Sequence, residues 1–181
     1  MSRYRRSLAA GGTFFFTVNL VDRKSRLLVQ KYDRMRQAVD ITRSRHTFLT
    51  LACCVLPDHL HVVWQLPEHD VAFGLRWRII KRTFSGGLAP AAGRSTSKRA
   101  KREKGIWQRR FWERQIRDEA DLRRHVDYVH FNPVKHGHVT RANEWPRSSF
   151  RSYVGRGWSP SHWSAAVSVR GHAALCPPYA C

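Results

Sequence analysis

Apolar residues in the first half of the chain alternate with a period of two or form short continuous runs, and both patterns are typical of β-strands. Thr13–Val21 is rich in aromatic and β-branched residues, and Thr47–Leu56 is apolar on both faces. In Leu56–Pro67 the alternation separates an apolar face from a second face that carries two histidines. Pro57 and Asp58 favour a turn, so the second and third strands should form an antiparallel hairpin.

Segments with helical spacing interrupt these strands. Lys31–Arg45 is the first predicted helix, and Asp70–Phe84, with Asp70 as its N-cap, is the second. Trp107–Arg117 returns to strand-like alternation, and a third helix begins at Asp118. The order strand, helix, strand, strand, helix, strand predicts an α+β fold of the ferredoxin-like (RRM-like) type, in which an antiparallel sheet has helices on one face.

Such a sheet leaves its other face uncovered. RNA-recognition modules bind single strands on that face. The fold alone therefore also fits a protein that binds nucleic acid without cleaving it.

The charge of the chain indicates a polyanionic partner. The 181 residues carry a formal net charge of +20 and a pI near 11.2, and 26 of the 33 basic residues are arginine. Arginine binds phosphates through two parallel hydrogen bonds and stacks on bases, so nucleic acid is the leading partner. A merely solvated basic surface, or arginine enrichment from a GC-rich genome, is the alternative, but the second does not explain the scarcity of acidic residues.

Membrane spans and targeting segments are not expected. No run of about 18 apolar residues occurs, and a pair of glycines interrupts the basic N-terminus before a signal-peptide core could form. The cysteines have neither zinc-site nor disulfide-framework spacing, since Cys53 and Cys54 are adjacent and Cys176 and Cys181 lie in a Pro-rich tail. These features predict a cytoplasmic, nucleoid-associated protein.

The first candidate for chemistry is the third strand. His59 and His61 flank Leu60, so both imidazoles lie on one face. Two neutral imidazoles can bind a divalent metal, which then needs one more protein ligand and keeps positions for a phosphate. A histidine pair on a strand is also a common packing coincidence. His136 and His138 form a second pair, but they follow a helix end in a turn, so they are predicted to face solvent or to contact phosphate.

The second candidate is the third helix. At about 100° per residue, Asp121, His125, Tyr128 and Asn132 fall on one flank of its apolar stripe. Pro133 should kink or end the helix directly after Asn132. Spacing alone also fits a surface tyrosine and a helix-terminating asparagine that have no chemical role.

Basic residues are concentrated in the second helix and in the segment that follows it. Leu88–Gly105 is expected to be a mobile loop that becomes ordered on a phosphate backbone, or else a solvated loop without a role. The predicted DNA contacts are Arg76, Arg78, Lys81, Arg82, Arg94, Lys98, Arg99, Lys101, Arg102, Lys104, Arg109 and Arg110.

Several of these segments resemble the motifs of a known family. The segment LPDHLHVVWQLP resembles the histidine, hydrophobe, histidine motif of the HUH endonucleases, and DYVHFNPVKHGHV resembles the nucleophile helix of their single-tyrosine transposases. Together with FFFTVNL, FWERQIRDEADLRRHV and EWPRSSFRSY, in the expected order, they resemble the REP-associated tyrosine transposases over roughly residues 3 to 155. The resemblance implies a HUH single-tyrosine transposase domain at 1–155 and a C-terminal tail at 156–181.

The resemblance also implies a role for each site residue. His59 and His61 would be metal ligands, Asn132 would be the third ligand, and Tyr128 would be the nucleophile. His125 is a candidate for proton transfer or for a phosphate contact. The implied cofactor is Mg²⁺ or Mn²⁺, although the imidazoles alone would also accept zinc or nickel.

The activity implied by the resemblance is cleavage and rejoining of single-stranded DNA at repeat hairpins through a 5′-phosphotyrosyl intermediate. The partner would be single-stranded or hairpin DNA of repetitive extragenic palindromes, bound by a monomer, with a dimer as the alternative. Asp58 stands where many members have asparagine. Two other functions stay open: a non-catalytic repeat-DNA-binding regulator of RRM-like fold, and a metal-dependent hydrolase that uses water in place of Tyr128.

Overall fold

The computed structural model describes residues 11–159, which form a four-stranded antiparallel sheet in the order β2-β3-β1-β4 with helices packed against it. In chain order the elements are β1 (Gly12–Asn19), α1 (Leu27–Gln30), α2 (Tyr32–Arg45), β2 (Leu49–Val55), β3 (His59–Leu66), α3 (Phe73–Ser85), α4 (Thr96–Ala100), β4 (Trp112–Gln115), α5 (Glu119–Lys135), a 3-10 helix (Ala142–Glu144) and α6 (Phe150–Gly155). The predicted strand and helix order and the β2–β3 hairpin are confirmed. The short helices α1, α4 and α6 were not predicted.

The fourth strand is shorter than predicted. It begins at Trp112, which pairs with Thr17, whereas Trp107 makes an isolated bridge with Leu20. Between these two pairings the β4 side contains two more residues than the β1 side, so the chain bulges out of the sheet there. The bulge brings the exposed Arg109 and Arg110 to the sheet edge.

One face of the sheet holds the main core. Alternate residues of β1 and β3, among them Phe16 and Trp64, pack against α2 and α3. The rings of Trp64 and Trp77 stack with their centroids 4.3 Å apart. This is the face on which the sequence predicts helices.

The other face is covered as well, which corrects the prediction of an open face. Val126 and Val129 of α5 pack against Phe15 and Val63 of the sheet. Val126 is 9% exposed and the other three have no exposed surface. Bases therefore cannot spread across this face as they do on an RNA-recognition module.

Local hydrogen bonds place α5. The Asp118 carboxylate accepts a hydrogen bond from the backbone N–H of Asp121 (2.7 Å), so the predicted N-cap is confirmed. Pro133 lies inside the helix, which ends two residues later at Lys135 and not at the proline itself. The Asn132 carbonyl still accepts a hydrogen bond from the His136 N–H (3.0 Å), so the helix continues past the proline.

The N-cap predicted for α3 is wrong. The helix begins after Ala72, and the Asp70 carboxylate instead accepts hydrogen bonds from the Ala72 N–H (2.6 Å) and from two nitrogens of Arg76 (3.0 and 2.6 Å). Arg76 is 2% exposed and also donates to the backbone carbonyls of His46 and Thr47. The guanidinium thus joins α3 to the segment that enters β2.

The segment after α3 has more structure than the mobile loop that the sequence predicts. It contains α4, whose N-cap Ser95 accepts a hydrogen bond from the Lys98 N–H. Lys104 Nζ donates to the backbone carbonyls of Ser85 and Leu88, each at 2.8 Å. These bonds tie the segment to the end of α3.

The last described helix, α6, ends at Gly155. Most of the predicted tail, with Cys176 and Cys181, lies outside the described residues, so the division at 155 stays a prediction. Cys53 and Cys54 are free thiols. Within residues 11–159, no helix combines the length and the apolar character that a membrane crossing requires.

Candidate active site

The two histidines of β3 and the tyrosine of α5 meet on the face of the sheet that α5 covers. The ring centroids of His59 and His61 are 4.9 Å apart, and those of His61 and Tyr128 are 5.2 Å apart. Asn132 lies one helical turn after Tyr128 and donates from Nδ2 to the Tyr128 carbonyl (2.8 Å). All four side chains are at least 98% buried, so the sequence alternative of a surface tyrosine is wrong.

Three atoms of this cluster that could bind a metal have no hydrogen-bond partner. They are His59 Nε2, His61 Nε2 and Asn132 Oδ1, and each is inaccessible to solvent. A buried polar atom without a partner is costly, so native structures keep such atoms for a purpose. Two imidazole nitrogens and an amide oxygen are metal-ligand atoms.

The other nitrogen of each imidazole is held in place. The Asp58 carboxylate lies 2.8 Å from His59 Nδ1, and the Thr17 hydroxyl lies 2.9 Å from His61 Nδ1. An imidazole that donates from Nδ1 presents its lone pair at Nε2. Asp58 and Thr17 therefore hold both rings with their Nε2 atoms turned toward the place where a metal would bind.

Burial keeps His61 neutral. Its pKa is well below the usual value, chiefly because burial disfavours the charged imidazolium, and electrostatic interactions with His59, His136 and Lys135 lower it further. The neighbouring Asn132 side chain opposes this shift only in part. A neutral imidazole is the form that binds a metal.

The donor set fits a divalent ion. Mg²⁺ and Mn²⁺ accept an amide oxygen and fill the rest of their coordination with water or phosphate oxygens, while imidazole nitrogens also suit zinc and nickel. Within residues 11–159 no group of three His, Cys, Asp or Glu side chains could hold a metal. This agrees with a site whose third protein ligand is the amide of Asn132.

His125 is buried on the same helix, on the side of Phe15. Its Nδ1 lies 2.7 Å from the Asp121 carbonyl and 3.3 Å from the Asp121 carboxylate, while its Nε2 has no partner. Burial lowers the pKa of His125, although Asp121 partly offsets the shift. The Phe15 ring contacts both His125 and Tyr128, with centroids 5.1 and 5.7 Å away. A part for His125 in proton transfer stays a prediction.

Sequence reasoning missed Lys135. It predicted that His136 faces solvent or contacts phosphate, and His136 is exposed at the end of α5. Lys135 Nζ lies 5.3 Å from the centroid of the Tyr128 ring, and the rings of His136 and His59 are 5.2 Å apart. Desolvation, followed by electrostatic interactions with His59 and Lys135, lowers the pKa of His136 to about 4. Lys135 could have been found from its spacing, because it follows Tyr128 by seven residues and residues seven apart share one face of a helix.

The basic residues predicted to bind DNA divide into two groups. Arg76 is buried in its bonds to Asp70, so it does not belong to a DNA-binding surface, and Lys104 is occupied by backbone carbonyls. Lys81 is partly buried and donates to the Gln108 carbonyl (2.9 Å). The residues that are exposed are Arg78, Arg82, Arg99, Lys101, Arg102, Arg109 and Arg110, while Arg94 and Lys98 are partly exposed.

Several of these residues line one groove. Between α3 and residues 102–111 the surface encloses about 1050 Å³, with Arg78, Arg82 and Arg102 among the basic lining residues and Phe111 among the aromatic ones. Phe111 packs with the core on the α3 face, whereas His61 lies on the α5 face. DNA that reached both places would have to pass an edge of the sheet.

The structure separates a structural arginine from an accessible one on the same helix. We expect Arg76→Met to lower the free energy of unfolding by about 3 kcal/mol, the lower end for a broken buried pair because Asp70 can still reach water. Arg82→Gln should change stability by less than about 0.5 kcal/mol. Urea denaturation measures both, and equal stability of the two variants would contradict the assigned role of Arg76.

Two curated proteins and one solved structure are similar to this chain over most of its length. The chain is 44% identical over 168 residues to the REP-associated tyrosine transposase of Escherichia coli, which covers 93% of this chain and 94% of that protein. It is 43% identical over 171 residues to a Haemophilus influenzae protein provisionally given the same name, and this match covers 94% of this chain and 97% of that protein. A solved structure of a REP-associated tyrosine transposase bound to a REP hairpin matches with a TM-score of 0.78 at 44% identity, and covers 91% of this chain and 92% of that chain. No family model matches the chain.

Proposed function

Because this chain belongs to the family of REP-associated tyrosine transposases, we propose that it cleaves and rejoins single-stranded DNA at repeat hairpins. The observation that supports the proposal best is the convergence of His59 Nε2, His61 Nε2 and Asn132 Oδ1, all without partners, beside the buried Tyr128. A nucleophile next to a set of free metal-ligand atoms is the arrangement that phosphodiester transfer requires.

Tyr128 is the proposed nucleophile. Its phenolic oxygen forms a bond to phosphorus while the bond from phosphorus to the 3′ oxygen breaks, and the electron pair of that bond stays on the 3′ oxygen, which takes up a proton. The phenol proton passes to a base. The products are a 5′-phosphotyrosyl protein and a DNA strand with a 3′-hydroxyl. Because the new ester keeps the energy of the broken one, the reverse attack rejoins DNA without ATP.

The rest of the site orients this exchange. His59, His61 and Asn132 would hold Mg²⁺ or Mn²⁺, and the ion would supply positive charge that offsets the charge of the phosphate. Phe15 and His61 contact the edge or face of the Tyr128 ring and fix its direction. Lys135 places a positive charge over the same ring, where the attacking group meets an anionic phosphate.

The proposed partner is single-stranded or hairpin DNA of the repetitive extragenic palindrome type. The solved relative is bound to a REP hairpin, and this chain carries a net charge of +20 with exposed arginines around the groove at α3. Such charges bind phosphates with a strong salt dependence. We further propose that the protein acts as a monomer at the nucleoid.

A covalent-trapping experiment tests the activity. Hairpin DNA labelled on the 5′-phosphate side of the cleavage site is incubated with the protein and MgCl₂, and the products are separated on a denaturing gel. The expected result is a labelled band that migrates with the protein and that disappears when EDTA replaces the metal. Light scattering on the protein without DNA should give a mass near 21.1 kDa, as expected for a monomer.

The other results each identify a different function. Cut DNA without a covalent band would show hydrolysis by water. Binding without cleavage would favour the non-catalytic regulator. Either result, obtained with a hairpin that the protein binds tightly, would overturn the proposed transesterase.

A further inference from the structure

His59 has an anionic partner within a buried hydrogen bond. The Asp58 Oδ1 atom lies 2.8 Å from His59 Nδ1, and the two residues are 9% and 2% exposed. The backbone fixes this geometry from both sides, because the Asp58 carbonyl accepts a hydrogen bond from the Leu20 N–H (2.8 Å) and the His59 carbonyl accepts one from Leu56 (2.9 Å). One carboxylate oxygen of Asp58 thus faces the outer nitrogen of His59.

Arg23 orients the carboxylate. Its Nε lies 3.1 Å from Asp58 Oδ2, and its NH1 donates to Asn19 Oδ1 (2.6 Å). Asn19 pairs with His59 in the β1–β3 ladder. The second carboxylate oxygen is thus occupied, and the first one is directed at the imidazole.

The partner of His61 is different in kind. Thr17 Oγ1 lies 2.9 Å from His61 Nδ1, and a hydroxyl is uncharged. A hydrogen bond to an ionised acceptor is roughly twice as strong as a neutral one, and a carboxylate behind an imidazole raises the basicity of its ligand nitrogen. The two imidazoles are consequently unequal donors.

We propose that Asp58 is a positioning residue that makes His59 the dominant metal ligand and that contributes a negative charge which favours a divalent cation in this very basic chain. The proposal rests on the proposed metal-dependent function. In the same cluster Lys135 and Arg23 carry positive charge, and the Asp58 carboxylate offsets it next to the ligand set. Removing that charge weakens the binding of any divalent ion, whereas Thr17 contributes orientation alone.

Metal binding by the full-length protein without DNA tests this proposal. The probe is Mn²⁺, whose free concentration is followed by electron paramagnetic resonance, and the variants are Asp58→Asn and Thr17→Val. The expected result is a Kd raised about 10- to 100-fold in Asp58→Asn, the range for outer-shell partners, and a smaller rise in Thr17→Val. Asparagine keeps the shape of the side chain, and circular dichroism checks that each variant folds.

A spectroscopic measurement separates positioning from general destabilisation. The visible absorption bands of Co²⁺ bound to the wild-type protein should shift in Asp58→Asn, because the donor strength of His59 changes. Equal Mn²⁺ affinity and identical Co²⁺ bands in wild type and Asp58→Asn would overturn the role of Asp58 while leaving the metal site itself intact. No saturable Mn²⁺ binding by the wild-type protein would overturn both the proposed role of Asp58 and the proposed metal-dependent function.

Discussion

Replacing Tyr128 by phenylalanine is expected to abolish the covalent protein–DNA adduct and to leave hairpin binding unchanged. The variant lacks the only atom that forms the new bond to phosphorus in the proposed reaction. Removal of a nucleophile from an enzyme lowers the rate by on the order of 10⁴-fold or more. Single-turnover cleavage with saturating protein measures the rate, and fluorescence anisotropy with the same hairpin measures affinity.

Packing should survive this change. The phenylalanine ring can keep the contacts that Tyr128 makes with Phe15 and His61, and loss of one hydroxyl typically costs only about 1 kcal/mol. Tyr32→Phe is the matched control, because that phenol is half-buried and lies under the Arg147 guanidinium, 5.6 Å from its ring. A covalent band that persisted in Tyr128→Phe but vanished in Tyr32→Phe would show that Tyr128 is not the nucleophile.

The strand that carries the histidines could be predicted from sequence because its signal is local. A period of two in β3 separates Leu60 and Trp64 from His59 and His61, and backbone sterics alone enforce that division. The helical spacing of Tyr128 and Asn132 is local in the same sense. Only the meeting of the two segments, about 70 residues apart, required the resemblance to a family.

The packing of α5 onto the sheet could not be predicted in this way. The predicted element order places helices on one face only, so the face of β3 that contains His59, His61, Val63 and Gln65 was expected to lie open. Its burial depends on residues from other strands, Phe15 and Ala52, which supply the apolar surface that α5 needs. The histidines are buried because their neighbours are apolar, and burial is what leaves their Nε2 atoms without water.

The structural role of Arg76 could not be predicted from the sequence either. Along the helix it is one of several basic residues with no distinguishing pattern. It becomes structural only because the segment that enters β2, together with Asp70, brings two carbonyls and a carboxylate within 3.2 Å of its guanidinium. A tertiary hydrogen-bond network of this kind has no sequence signature.

Adding Mn²⁺ should stabilise the wild-type protein against unfolding. Replacing one of the proposed metal-binding residues should eliminate both this stabilisation and DNA cleavage. An ion that binds only the folded state adds about 2.7 kcal/mol at 100 times its Kd, which for a domain of this size corresponds to a rise in Tm of roughly 5 to 10 °C. In His61→Ala and Asn132→Ala one of the three free donor atoms is lost. We expect the metal-dependent rise in Tm to disappear in both variants.

The control for these variants is His69→Ala, since the His69 side chain is 86% exposed and its Nε2 lies 3.7 Å from Glu68 Oε1. Differential scanning fluorimetry with MnCl₂ or EDTA measures Tm, and the denaturing gel measures the adduct. Asn132→Ala gives the sharper test, because two effects on the stability of the metal-free protein oppose each other. The variant loses the hydrogen bond from Nδ2 to the Tyr128 carbonyl, but it also removes a buried oxygen that has no partner. A full metal-dependent rise in Tm in Asn132→Ala would exclude its amide from the coordination sphere, and the ion would then rest on the two imidazoles alone.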